Sequence, residues 1–155
     1  MTKELTLEGF NIGYKNFSGK GDRFNKEGDR NFVVFLDEDT AKRLTEDGWN
    51  VRYPKPSDDS EYVRNPYLKV KVNYGGRPPR IVTVTNGQTM VLNEELVSTL
   101  DSLDLMECDL VISPYHWNVN GSSGITAYLK TLYANVESDP FQHKYLNQDG
   151  DLPFL

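Results

Sequence analysis

Between Tyr67 and Tyr74 the side chains alternate without a break: Leu68, Val70, Val72 and Tyr74 fall on one side of an extended chain, and Tyr67, Lys69, Lys71 and Asn73 on the other. A helical period of about 3.6 residues would scatter the same apolar residues around a cylinder, so the stretch is read as a strand lying half in a core and half in solvent. Slipping its register by one residue would bury both lysines, so the pairing is strongly specified. The solvent face then presents ring, charge, charge and amide in a row.

The rest of the chain reads as strands hung around this one. Leu5 to Tyr14 alternates weakly, as one or two strands broken at Gly9 and Gly13, and Asn31 to Leu36 is a buried strand. Asp37 to Asp47 reads as a short helix, capped by Asp37 or Asp39, with Ala41 and Leu44 inward and Gly48 ending it. Trp49 to Tyr53 is predicted as a strand with Trp49, Val51 and Tyr53 in the core and Arg52 free, followed by a loop from Pro54 to Pro66. Gly75-Gly76 is read as a turn that returns the chain antiparallel through Ile81 to Thr85, and Asn86-Gly87 as a second tight turn into Thr89 to Leu92. Asn93 to Leu103 is predicted as a second helix, capped by Asn93, with Leu96, Val97 and Leu100 inward; Cys108 to Val119 and Ile125 to Val136 are long strands joined at Asn120-Gly121.

Short strands, tight turns and two short helices, one of them between the third and fourth main strands, predict a mostly β domain. The order fits an OB-type Greek-key β-barrel over residues 1–137; a β-sandwich is the alternative pattern. Glu137 to Gln148 is polar, and residues 138–155 read as a disordered acidic C-terminal tail.

With 17 basic and 23 acidic residues the net charge is −6, which as an average argues against polyanion binding. The charges are segregated, however. From Tyr62 to Asn93 there is no Asp or Glu, while Arg64, Lys69, Lys71, Arg77 and Arg80 all fall there. A local basic face is what a groove tracking a phosphate backbone needs. Single-stranded nucleic acid also needs flat rings for its bases. Tyr67, Lys69 and Lys71 on one strand, Tyr115 and Trp117 on another, and Tyr128 and Lys130 on the last supply both. Arg52 and the Gly-rich loop from Asn16 to Asn31, with Lys20, Arg23, Lys26 and Arg30, add cations; Phe17 and Phe24 in that loop either plug into the core or offer stacking surface. Against this stand plainer readings: Tyr115 and Trp117 as core residues of a long strand, and Lys69 and Lys71 as an ordinary solvated face.

No run is long enough to span a bilayer and Met1 to Leu5 lacks a signal core, so a soluble cytoplasmic protein is expected. Cys108 is the single cysteine, which excludes an internal disulfide and a Cys-based zinc site; no cofactor is expected. Gly19-Lys20-Gly21 lacks the spacing and the Ser or Thr of a phosphate loop. Asp37, Glu38 and Asp39, or Asp58, Asp59 and Glu61, would be the candidate magnesium ligands of a nuclease, but helix capping and a Pro-rich loop explain them as well. His116 and His143 have no nucleophile or ligand partner nearby in sequence. A third class, a protein-protein adaptor or inhibitor mimicking DNA, fits the net charge and not the basic stretch.

The chain ends in Asp149-Gly150-Asp151-Leu152-Pro153-Phe154-Leu155, an acidic extended tip with one ring. It resembles the C-terminal peptide of bacterial and phage single-stranded DNA-binding proteins in Asp149, Asp151, Leu152, Pro153 and Phe154; Gly150 interrupts the acidic run, and Leu155 follows the Phe that is usually last. Stretches of the body resemble a phage family of such proteins as well, among them Arg30-Asn31-Phe32, Gly48-Trp49-Asn50-Val51, Leu68 to Asn73 and Pro114-Tyr115-His116-Trp117. The resemblance implies a non-enzymatic, sequence-nonspecific protein that coats single-stranded DNA in phage replication, recombination or repair. It further implies that Asp149, Asp151, Leu152, Pro153, Phe154 and Leu155 engage replication or recombination proteins. The acidic tip is also expected to lie in the basic groove when DNA is absent. Sequence leaves monomer and homodimer open.

Overall fold

The computed structural model describes residues 3–23, 25–54 and 65–137. In chain order the elements are β1 (Leu5–Phe10), β2 (Ile12–Asn16), β3 (Arg30–Phe35), α1 (Glu38–Glu46), β4 (Val51–Arg52), β5 (Tyr67–Val72), β6 (Arg80–Thr85), β7 (Gln88–Leu92), a 3₁₀ helix (Val97–Ser102), β8 (Leu105–Val119) and β9 (Ser122–Val136).

The barrel closes because its first strand serves two neighbours. β1 lies antiparallel on β8 and β2 antiparallel on β3, with only Asn11 between them. Gly9 at φ 74° and register shifts between Leu7 and Phe10 and between Gly13 and Asn16 supply the bend. From β3 the circuit passes antiparallel to β5, parallel from β5 to β9, and antiparallel from β9 to β8, which returns it to β1. This order, with a parallel step between the third and fifth barrel strands, is that of the OB barrel.

Alternation directs one face of every strand inward. Phe32 and Val34 of β3, Leu68 and Val70 of β5, Leu110 and Ile112 of β8, and Ala127, Leu129 and Leu132 of β9 meet in one core. Phe17 joins them fully buried, stacked on Phe32 with ring centroids 5.2 Å apart. It plugs the Gly-rich loop into the barrel; Phe24 lies outside the described residues. Asp101 anchors the same loop, accepting from the backbone N–H groups of Phe17 and Ser18 at 2.7 and 3.0 Å. Cys108 is also in the core, where burial pushes its thiol up to about 11, so it packs as a small apolar side chain.

Local chemistry explains most boundaries. Asp37 caps α1 by accepting from Thr40 N at 2.7 Å, and Gly48 at φ 97° follows its C-terminal end. Both Asn-Gly pairs form turns with positive φ at each residue: Asn86 and Gly87 join β6 to β7, and Asn120 and Gly121 join β8 to β9.

Three expectations are corrected. β6 does not return along β5: both run parallel to β9, at Val70↔Ala127 and at Arg80↔Thr131, and β6 finds its antiparallel partner in β7. The connection carries Pro78-Pro79 after Gly75-Gly76, which keeps it from closing as a tight hairpin. The second helix is only the short 3₁₀ segment, with Leu96 exposed ahead of it. Here the hydroxyls of Thr99 and Ser102 donate to carbonyls three residues back, at Leu96 and Thr99, in the tight spacing of a 3₁₀ turn. Asn93 does cap the turn, accepting from Leu96 N at 2.8 Å. Finally, Trp49 is buried but Tyr53 is 56% exposed, its hydroxyl 2.9 Å from that of Thr45, because Trp49 N still bonds to Leu44 O at the helix end and only Val51–Arg52 is strand.

Candidate nucleic-acid interface

The outward face of β3, β5, β9 and β8 follows from the same alternation that fills the core. Asn31, Val33 and Phe35 of β3 register with Lys71, Lys69 and Tyr67 of β5. Lys71 registers with Tyr128 of β9, and Tyr128, Thr126 and Gly124 register with Ser113, Tyr115 and Trp117 of β8. The rows therefore bring Tyr67, Lys69, Lys71, Tyr128, Tyr115 and Trp117 to one side of the barrel.

A groove opens where β5 and β9 part. They pair at only two positions; beyond Val70, β5 takes β4 as its partner, through Val51↔Leu68 and Arg52↔Tyr67. The space between β4 and the β8–β9 hairpin is a groove of about 550 Å³. Arg52, Lys69 and Lys71 line one side, and Trp117, Ser123, Gly124 and Thr126 the other. All three cations are exposed, and among the described residues none is engaged in an ion pair.

Two of the rings stand exposed on that face. Trp117 is 37% and Tyr115 59% exposed, so neither is a core residue, whereas Trp49 lies buried in the wall of the groove. Tyr115 meets Tyr128 edge-on, with centroids 6.1 Å apart. At the far side of β5, Tyr14 packs edge-on against Phe35 at 5.9 Å and Tyr67 at 6.4 Å. Tyr14 and Phe35 complete an aromatic cluster that sequence reading missed. Gly13 makes room for it, because a Cβ there would stand 2.5 Å from the Phe35 ring.

The remaining candidate cations are dispersed. Lys20, Arg23 and Lys26 are exposed on the loop that enters β3 beside Lys71, a loop braced by the Asn25 amide donating to Lys20 O, Lys26 O and Asp29 O. Arg30 is committed internally: it donates to Phe17 O at 2.9 Å, pairs with Glu94 at 3.1 Å and lies 5.0 Å over the Tyr74 ring. Lys130 pairs with Glu4 at 2.7 Å. Arg77 and Arg80 are exposed, Arg80 at the start of β6, where it registers with Thr131 further along β9. The tip residues Asp149, Asp151, Leu152, Pro153, Phe154 and Leu155 lie outside the described residues, as do Arg64 and the acidic set Asp58, Asp59 and Glu61. Asp37, first of the other acidic set, is occupied as the cap of α1.

An OB barrel with exposed rings and, among the described residues, unpaired cations on one face defines the class, an oligonucleotide-binding domain. The chain belongs to the phage family described as "Putative phage ssDNA-binding domain", whose model matches residues 1–154. Solved structures of the same fold include the single-stranded DNA-binding protein of bacteriophage Enc34 in complex with ssDNA, at 10% identity and TM-score 0.60, covering 90% of this chain and 89% of that one. The same Enc34 protein in another structure matches at 9% identity and TM-score 0.56, covering 96% and 90%. No curated protein sequence matches the chain. No helix among the described residues is long and apolar enough to cross a membrane.

Proposed function

We propose that the protein binds single-stranded DNA without sequence preference, running the strand through the groove between β4 and the β8–β9 hairpin. One observation carries this reading: Arg52, Lys69 and Lys71, unpaired among the described residues, line the same groove as the exposed face of Trp117. The cations hold the phosphates, and Trp117, Tyr115 and the Tyr14–Phe35–Tyr67 cluster stack on bases, which every base permits. Family membership and the fold shared with the DNA-bound Enc34 protein support the choice of ligand.

The role is non-catalytic: coating and protecting single strands in the host cytoplasm during phage DNA replication, recombination or repair. Replication or recombination proteins are recruited through the C-terminal tip, where Asp149 and Asp151 suit a basic rim and Phe154 a slot.

The test is anisotropy of labelled oligo-dT across a salt series, with duplex of equal length as control. Tight, salt-sensitive binding of the single strand over the duplex is expected. Lys69→Ala combined with Lys71→Ala is expected to lower the slope of log K against log salt by about 1.4, roughly 0.7 for each phosphate no longer neutralised. Equal binding of both forms, or an unchanged slope, contradicts the reading.

A further inference from the structure

Gly124 stands directly across from Trp117 in the β8–β9 ladder. A Cβ at Gly124 would lie 2.6, 2.9 and 3.2 Å from Cζ2, Cε2 and Nε1 of that indole. The ring therefore lies across the backbone of β9 instead of standing away from it. Gly124 does not have the positive φ that would itself favour glycine, unlike Gly121 at 83° in the adjoining turn. Its backbone suits any residue. Glycine weakens a strand interior, and a close approach by another group is one of the few reasons to find it there. The approaching group here is the indole, which covers the bare backbone as aromatic side chains do for glycines in sheets.

We infer that Gly124 is a positioning residue for DNA binding: it seats Trp117 flat on β9, so that one ring face is fixed and the other is presented to the groove. Trp117 and Gly124 line that groove together, facing Arg52 and Lys69. Seated on one face, the indole has few alternative rotamers to lose when a base stacks on the other. Any side chain at position 124 lifts the ring off the strand and turns it out of line with the cations, although Gly124 itself makes no use of its own atoms on the ligand. Tyr115 is held differently, edge-on against Tyr128, and is more exposed.

This inference rests on the proposed use of the groove, and a double-mutant cycle on the full chain separates the two. Oligo-dT affinity is measured for the parent, Gly124→Ala, Trp117→Ala and the double variant. The expected result is a loss of about fivefold or more for Trp117→Ala, the lower end of what one stacked base contributes. Gly124→Ala should lose a comparable factor, and the double variant no more than Trp117→Ala alone, because without the indole there is nothing for the new methyl to displace. If Gly124→Ala binds like the parent, or costs the same factor with Trp117 already removed, the seat has no part in binding and the inference falls while the groove stands. If Trp117→Ala binds like the parent, the use of this groove falls and the inference with it. A second readout needs no variant: the Gly124 α-protons should be shifted upfield by the indole ring current and stay so when oligo-dT is added. Loss of that shift on binding means the ring swings away, which overturns the seat even where Gly124→Ala cannot be folded.

Discussion

Tyr14 shows what one side chain contributes to the proposed binding face. It sits at φ 45°, a left-handed conformation that costs a tyrosine on the order of 1 kcal/mol, and the residue is 71% exposed. An unfavourable backbone angle that holds an apolar ring in solvent is a feature the core does not require. Edge-on packing against Phe35 and Tyr67 instead gives the ring a fixed orientation. Tyr14→Ala is accordingly expected to weaken oligo-dT binding by about 1 kcal/mol or more, as for one stacked base, while leaving the unfolding midpoint nearly unchanged. Parental affinity would remove Tyr14 from the interface. Sequence reading found Tyr67 and Tyr128 because each lies in a stretch that alternates, and Tyr115 and Trp117 as rings two residues apart in a predicted strand. It missed Tyr14 and Phe35 because the register shift after Gly13 breaks the alternation of β2, and because Phe35 ends a run of apolar residues whose outward members look no different from inward ones.

Elements with local causes were legible; elements with distant causes were not. The helix after β3 and its Asp37 cap follow from neighbouring residues, and so do both Asn-Gly turns. Thr40 lowers the Asp37 carboxyl below its usual range, chiefly through its backbone N–H and then through its hydroxyl at 2.9 Å. A group depressed in the folded state stabilises above its unfolded pKa of about 3.9 and loses that contribution as pH falls through the folded value. Asp37→Ala is thus expected to cost about 1 kcal/mol of stability at neutral pH, and the gap to the parent should close below about pH 4. A gap that persists in acid would mean the cap acts through something other than its charge. By contrast, the parallel partner of β5 is β9, which lies far downstream in the chain, and nothing in residues 67–85 announces a parallel neighbour. The glycines suggested the nearest antiparallel return, and tertiary pairing overrode that local cue.

For the whole molecule, net charge of −6 is a poor guide to its partner. Segregation of charge was readable as the acid-free stretch from Tyr62 to Asn93, yet the groove draws on only part of it. Lys69 and Lys71 are joined by Arg52 from β4 and by rings from the β8–β9 hairpin, whereas Arg77 and Arg80 lie further along β9. Closure of the barrel assembles these pieces, through the bend that lets one strand pair with both β8 and β3. Arg30 and Lys130, equally basic in sequence, are placed by the same closure against Glu94 and Glu4. Composition supplied the inventory, and only the fold decided which cations face the groove. The path of the strand across this face is open to photocrosslinking. An oligonucleotide carrying 5-iododeoxyuridine is irradiated with the protein and the attached residues are mapped by mass spectrometry. Crosslinks at Trp117, Tyr115, Tyr67 or Tyr14 are expected; crosslinks confined to the opposite end of β9, at Tyr133 or along β7, would contradict the account.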